Sequence, residues 1–143
     1  MIRIIAGGKK HASWLEEVVR DYARRLRRPY DINWVFMEES KLEKYLNPWP
    51  FTGREYVICC DERGQNISSR EYSDLLTKAF LNNKDVIILI GGAYGFSEET
   101  RKNADFVWSF SNLVFPHMIA RLIAAEQTYR ASEIAKNSPY HHE

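Results

Sequence analysis

The stretch Val86 to Glu99, VIILIGGAYGFSEE, has the spacing of a small-molecule site. Five apolar β-formers run into Gly91, Gly92 and Gly95, and Ser97, Glu98 and Glu99 then open a helix. Open α/β sheets bind ligands at the carboxyl ends of their strands, in loops of this kind. A dinucleotide fingerprint needs G-x-G-x-x-G with an acidic residue about 20 positions on. Here the spacing is G-G-x-x-G, and it follows the fourth strand rather than the first. A phosphate-cradling loop needs G-x-x-x-x-G-K-[ST], and this loop has no lysine. Ser97, Glu98 and Glu99 suit the positive end of a helix dipole but repel a phosphate. The loop therefore predicts a ligand that is not an anion. The competing reading is a plain structural turn that needs positive φ.

Such a loop must be held by a sheet, and the rest of the chain spells one out. Ile2–Ala6 predicts a first strand. Ser13 and Glu16 have capping-box spacing at the start of a helix. That helix buries Leu15, Val18, Val19, Tyr22 and Leu26 and stops at Pro29. Ile32–Phe36 predicts a second strand, and residues 38–54 a loop with one short helix around Lys41–Leu46. A third strand, Tyr56–Cys60, ends at Asp61 in the turn Glu62-Arg63-Gly64. Ser68 with Glu71 opens a helix with the face Tyr72, Leu75, Leu76, Ala79 and Phe80. Val86–Ile90, apolar throughout, predicts a strand covered on both faces. A helix from Ser97, a short strand near Val107–Phe110 and a last helix from about His117 to Lys136 complete the chain. The alternation predicts an α/β architecture with a mainly parallel sheet.

Composition narrows the class further. At 143 residues, 45% hydrophobic and 27% charged, the chain predicts one globular domain spanning 1–143. It has no apolar run of about 18 residues and no secretory pattern, so a membrane partner is not expected. Cys59 and Cys60 are neighbours and suit neither a disulfide with each other nor a metal site. They predict small strand-filling residues, no metal and a cytoplasmic location. Residues 9–28 hold seven Lys and Arg against three acidic residues, although the net charge is only +1. A basic end on a near-neutral body points to a polyanionic partner.

The segments AGGKK, DYARRL, VIILIGGAYGFSEE, SFSNLVFPH, EQTYRA and PYHHE together resemble the ribosomal RNA large subunit methyltransferase H family. These are the pseudouridine N3-methyltransferases of the SPOUT class. The likeness spans nearly the whole chain and is weakest over residues 37–55. It implies a SPOUT-type fold with a deep C-terminal trefoil knot, a homodimer, and S-adenosylmethionine bound in the knot. It also implies a 23S ribosomal RNA substrate, methylated at a pseudouridine in the interface hairpin of the assembled ribosome.

By position, the resemblance assigns cofactor contacts to Cys60, Gly92, Ser111, Asn112, Leu113, Val114, Phe115 and Pro116. Cys60 departs from the family, where leucine is usual. The residue types suit the ligand. S-adenosylmethionine has no phosphate and carries a sulfonium, so it needs an apolar slot, main-chain edges and no cation beside the sulfur. Gly91 and Gly92 let the backbone approach; Leu113, Val114 and Phe115 offer apolar wall, and Pro116 fixes the exit into the last helix.

Chemistry then falls to the last helix and the tail. Removing the N3 proton calls for a base or for stabilisation of the anionic ring. Tyr140, His141 and Arg130 are the candidates, with Glu126 four residues before Arg130 on one helix face as its structural holder. The competing readings are a loose polar terminus for the histidines and an internal salt bridge for Arg130. His117 reads as a buried, hydrogen-bonded imidazole at a helix start. Arg20, Arg24, Arg27 and Arg28 have helical spacing, and with His142 they are the candidate RNA contacts; His142 stands where a basic residue is common. Two rival functions remain at this level. One is a non-catalytic RNA-binding module with a degenerate pocket. The other is a small flavodoxin-like nucleotide-binding protein using AGGKK as its phosphate loop.

Overall fold

The computed structural model describes residues 1–92 and 94–142; Ala93 of the glycine loop and Glu143 of the tail lie outside the described residues. The elements are β1 (Ile2–Gly7), α1 (Ser13–Arg25), β2 (Ile32–Met37), α2 (Glu39–Leu46), β3 (Glu55–Gln65), α3 (Ser69–Leu81), β4 (Asp85–Ile90), α4 (Glu98–Asn103), β5 (Phe106–Trp108) and α5 (His117–Ala135). The strands form one sheet in the order β2-β1-β4-β3-β5, and every pair is parallel.

Strand alternation builds a core on each face of the sheet. Ile2, Ile4, Ala6, Ile58, Val86, Ile88 and Ile90 face α3 and α5, where Tyr72, Leu76, Ala79, Ala124 and Ala131 meet them. Ile5, Val57, Cys59, Ile87 and Leu89 face the other way, against Leu42 and Leu46 of α2 and Phe96. This is why β4 has no polar residue between Val86 and Ile90. Helix α1 packs on α5 through Leu15, Val19 and Ala125.

Several expectations hold locally. Ser68 and Glu71 form the full capping box, with Glu71 N–H donating to Ser68 Oγ at 3.1 Å and Ser68 N–H to Glu71 Oε1 at 3.0 Å. Ser97 caps α4 by accepting from Thr100 N–H at 3.2 Å.

Others are corrected. The capping box at Ser13 does not form. Helix α1 starts one residue earlier than that motif requires, with Ala12 as the cap residue and its carbonyl accepting from Leu15 and Glu16. Ser13 is thus already helical, and its hydroxyl does not reach over the N3 amide. Val18 is exposed rather than buried, because only the Leu15–Val19 edge meets α5. The helix ends at Arg25, four residues before Pro29, when Leu26 turns extended. The expected turn Glu62-Arg63-Gly64 is instead strand. After an irregularity between Cys60 and Gln65, β3 continues, and Gln65 accepts from Ser109 N–H at 2.9 Å. Gly64 permits this approach, since a Cβ there would run into the Val107 carbonyl. Strand β5 correspondingly stops at Trp108, short of Phe110.

Candidate functional site

A cavity of about 730 Å³ opens where β4 and β5 end, at Ile90 and Trp108, beside Cys60 at the irregularity of β3. Gly91, Gly92 and Gly95 form one wall. The loop closes as a turn, with Gly95 N–H donating to the Gly92 carbonyl at 3.3 Å and Gly95 at φ 70°. Gly91 has no room for a larger side chain without moving the Phe96 ring, 3.2 Å from where a Cβ would lie.

The second wall is the bend Ser111–Pro116. Ser109 Oγ donates to the Ser111 carbonyl at 2.8 Å, and Leu113 N–H donates to Ser111 Oγ at 3.1 Å. Asn66, just after β3, anchors the segment by donating to the Ser109 carbonyl at 2.9 Å. Pro116 occupies the cap position of α5 rather than its first turn. Of the residues expected here, Cys60, Gly92, Ser111, Leu113, Val114, Phe115 and Pro116 line the cavity, as does His117; Asn112 is exposed and does not line it. The expectation of an apolar slot walled by Leu113, Val114 and Phe115 needs correction. Leu113 is 68% and Val114 78% exposed, so this wall is open to solvent within one chain.

The third wall is ionic and was not anticipated from the sequence. Asp61, whose side chain is 1% exposed, accepts from the Arg63 and Phe96 backbone N–H groups at 2.9 and 3.1 Å and pairs with Arg63 Nη1 at 3.1 Å. It thereby ties the middle of β3 to the end of the glycine loop. Arg63 is the one Lys or Arg among the described lining residues, and its charge is matched by Asp61. The thiols are inert by position: burial pushes Cys59 up to about 12 and Cys60 well above its usual range.

A separate cluster forms at the end of α5. Arg130 Nε donates to Glu126 Oε1 at 2.7 Å, Nη1 stands 3.0 Å from His141 Nδ1, and the guanidinium carbon lies 4.9 Å from the Tyr140 ring centroid. Tyr140 in turn meets Tyr129 edge-on at 4.9 Å. The tail returns because Asn137 adopts φ 57°, the left-handed conformation asparagine tolerates after a helix, while Ser138 N–H donates to the Glu133 carbonyl. The structure thus brings Arg130, Tyr140 and His141 together, and none of them lines the cavity of the same chain. His142 is exposed.

The four arginines do not share one helical face. Arg20 pairs with Glu16 at 3.5 Å, and Arg24 shares Asp21 with Arg25 at 3.1 and 3.2 Å. Arg27 and Arg28 lie beyond the helix. Arg27 folds back to the Arg24 carbonyl at 2.8 Å, and Arg28 is exposed. They form a basic cuff that runs from the middle of α1 past its end, not a stripe on one face.

Sequence reasoning also missed Arg121, which is fully buried in α5. It donates to the Gly7 carbonyl at 3.2 Å, contacts His11 Nδ1 at 3.3 Å and lies 5.3 Å from the Phe36 ring centroid. Burial and the Arg121 charge hold His11 down at about 4. The available signal was position: Arg121 stands three and four residues before the buried Ala124 and Ala125.

With this geometry established, comparison with known proteins is specific. The family model described as "Predicted SPOUT methyltransferase" matches residues 1–141. A protein of Desulfitobacterium hafniense is 34% identical, with 98% of each chain covered. One of Christiangramia forsetii is 34% identical, covering 99% of this chain and 98% of its own. One of Methylobacillus flagellatus is 29% identical, with 99% of each chain covered. All three are named ribosomal RNA large subunit methyltransferase H. A probable methylase family protein from Haemophilus influenzae superposes with a TM-score of 0.60 over 99% of this chain and 70% of its own. At 13% identity, that likeness concerns the fold.

Proposed function

This chain belongs to the SPOUT methyltransferase family, and from that premise we propose that it methylates N3 of a pseudouridine in 23S ribosomal RNA. The donor is S-adenosylmethionine, and the target lies in the interface hairpin of the assembled ribosome in the cytoplasm. Residues 1–143 act as one catalytic domain.

One observation carries the reading: the cavity joins glycine backbone and an apolar bend at the strand ends, with its single guanidinium already matched by a carboxylate. These residues fit the donor. Its volume lies in the range of small-molecule sites, the Phe115–Pro116 wall suits adenine, and Gly91 and Gly92 leave main-chain edges open. Cys60, Gly92, Ser111, Leu113, Val114, Phe115 and Pro116 would hold it, with Asn112 on the outer side of the bend. When bound, the donor supplies an electrophilic methyl group on sulfur. The protein's part is alignment, which makes the displacement effectively unimolecular.

Arg130, Tyr140 and His141 act on the acceptor base. A guanidinium only donates, so His141 Nδ1 is the acceptor in their 3.0 Å contact and Nε2 bears the ring proton. As N3 gives its proton to solvent water, the Arg130 guanidinium, held in place by Glu126 and His141, offers a donor to the negative charge that develops on the base. Glu126 fixes the Arg130 fork. Because this cluster does not line its own chain's cavity, the reading places two copies in a homodimer, each tail serving the partner's pocket. The bend Ser111–Pro116 belongs in this reading to a trefoil-knotted segment, in which the C-terminal part threads a loop. The cuff Arg20, Arg24, Arg27 and Arg28, with His142, contacts phosphate and so positions the RNA without reading its sequence.

The test is direct. Purified protein, labelled S-adenosylmethionine and assembled ribosomes lacking the modification should yield one methylated pseudouridine in the large-subunit RNA, read by mass spectrometry. No methyl incorporation into RNA would overturn the proposal.

A further inference from the structure

The cavity is polarised, and no part of the ligand has yet been assigned to its ionic wall. Asp61 is saturated: Oδ1 accepts from Arg63 N–H and Nη1, and Oδ2 accepts from Phe96 N–H and Nη1. Arg63 is not. Among the described residues all its side-chain hydrogen bonds use Nη1, so Nε and Nη2 are uncommitted there, and the side chain is 51% exposed. Asp61 fixes the direction of the fork, while Nη1 lies 3.5 Å from where a Gly95 Cβ would stand. An aimed, half-committed guanidinium on the wall of an otherwise neutral or acidic cavity is a carboxylate receptor.

We propose that Arg63, oriented by Asp61, receives the carboxylate of the methyl donor's amino-acid part through Nε and Nη2, and so sets the direction in which the donor lies. The inference rests on the cavity being the donor site. Adenine then takes the Phe115–Pro116 side and the amino-acid part takes the Gly95 side. The sulfonium is separated from the guanidinium by the carbons of the side chain. Glu62, exposed on the same wall and without a hydrogen bond among the described residues, is an acceptor for the adjacent ammonium.

Calorimetry with two neutral thioethers separates the parts of the ligand. S-adenosylhomocysteine has the amino-acid group; 5′-methylthioadenosine lacks it. Wild type should prefer the former by about tenfold or more, the effect of a charge-assisted hydrogen-bonded pair. Arg63→Gln should erase most of that preference by weakening S-adenosylhomocysteine alone, leaving 5′-methylthioadenosine within about twofold, since its contacts are unchanged. Arg63→Lys should retain part of it, as a point charge without the fork. Equal loss of both ligands in Arg63→Gln and Arg63→Lys would mean that Arg63 only braces the loop, and would overturn the proposal. An unchanged ratio would overturn it too, with the donor pocket intact. Failure of wild type to bind either ligand would instead remove the pocket assignment itself.

Discussion

Nη1 of Arg130 stands 3.0 Å from Nδ1 of His141, eleven positions further along the chain. That contact joins a helix to a tail that has turned back on it, and it places a fixed cation, an imidazole and the Tyr140 ring in one cluster. Arg130→Ala should lower the methylation rate about 10²-fold or more, the scale for losing a donor to developing charge. Cofactor affinity should stay within about twofold, because Arg130 touches no cavity wall. Arg130→Lys should recover little, since it cannot hold Glu126 and His141 in one plane. Single-turnover kinetics beside calorimetry separates the two effects.

Gly92 tests the loop. A Cβ there would overlap the Glu39 carboxylate, yet Glu39 is exposed and its side chain can swing away. Gly92→Ala should therefore fold with a melting temperature close to wild type. Gly92→Leu should fill the cavity wall and abolish binding of S-adenosylhomocysteine. Undiminished affinity in Gly92→Leu would show that the loop does not line the cofactor site.

Gly64 tests the fold. Its neighbour is the Val107 backbone, which cannot swing aside. Gly64→Ala should cost roughly 1–3 kcal/mol, the range for overpacking, and should loosen the β3–β5 pairing that anchors the Ser111–Pro116 bend. Chemical denaturation gives the first number, and hydrogen exchange at Ser109 N–H reports the second.

His11 predicts an acid-side loss of stability. Its folded value, about 4, lies below the ordinary 6.5 because burial and Arg121 disfavour the imidazolium. Between these values the unfolded chain binds a proton that the folded chain refuses, so stability falls as pH drops from 6.5 toward 4 and this contribution levels off below. Above 6.5 it has no effect. In thermal melts over this range, His11→Gln should flatten part of the slope. An unchanged slope would assign the loss to other groups.

The arginine cuff predicts salt-sensitive binding. Arg28 is exposed and has no ion pair among the described residues, whereas Arg20 already has Glu16. Arg28→Ala should lower the slope of log K against log salt for RNA binding by about 0.7–0.9, one phosphate contact. Arg20→Ala should lower it less. Filter binding over a salt series measures both.

Much of this was legible in the chain itself, wherever the cause is local. Unbroken apolarity marks β4, the Ser68–Glu71 pair marks the start of α3, and Pro116 marks the entry to α5. The glycine spacing excluded the common phosphate and dinucleotide loops, and the motifs at both ends pointed to the family. The failures are equally instructive. Ser13-x-x-Glu16 has the letters of a capping box, but Ala12 takes the cap. Glu62-Arg63-Gly64 has the letters of a turn, but hydrogen bonding to Ser109 pulls it into the sheet. In the first case the helix starts one residue early at a neighbouring position, and in the second a distant partner outweighed the local preference.

What the sequence determined, then, is periodicity, punctuation and motif, because these depend on residues within a few positions of one another. Tertiary structure alone decided that Asp61 would clamp Arg63 to the cavity wall, that Arg121 would lie buried against Gly7 and His11, and that Asn137 would turn the tail toward Arg130. Arg121 and Gly7 are 114 residues apart, and Asp61 reaches Phe96 across 35 residues; even the short-range pairs, Asp61 with Arg63 and Arg130 with His141, take their place from the surrounding fold. Their energies exist only once the parallel sheet has gathered the carboxyl ends of its strands at one edge.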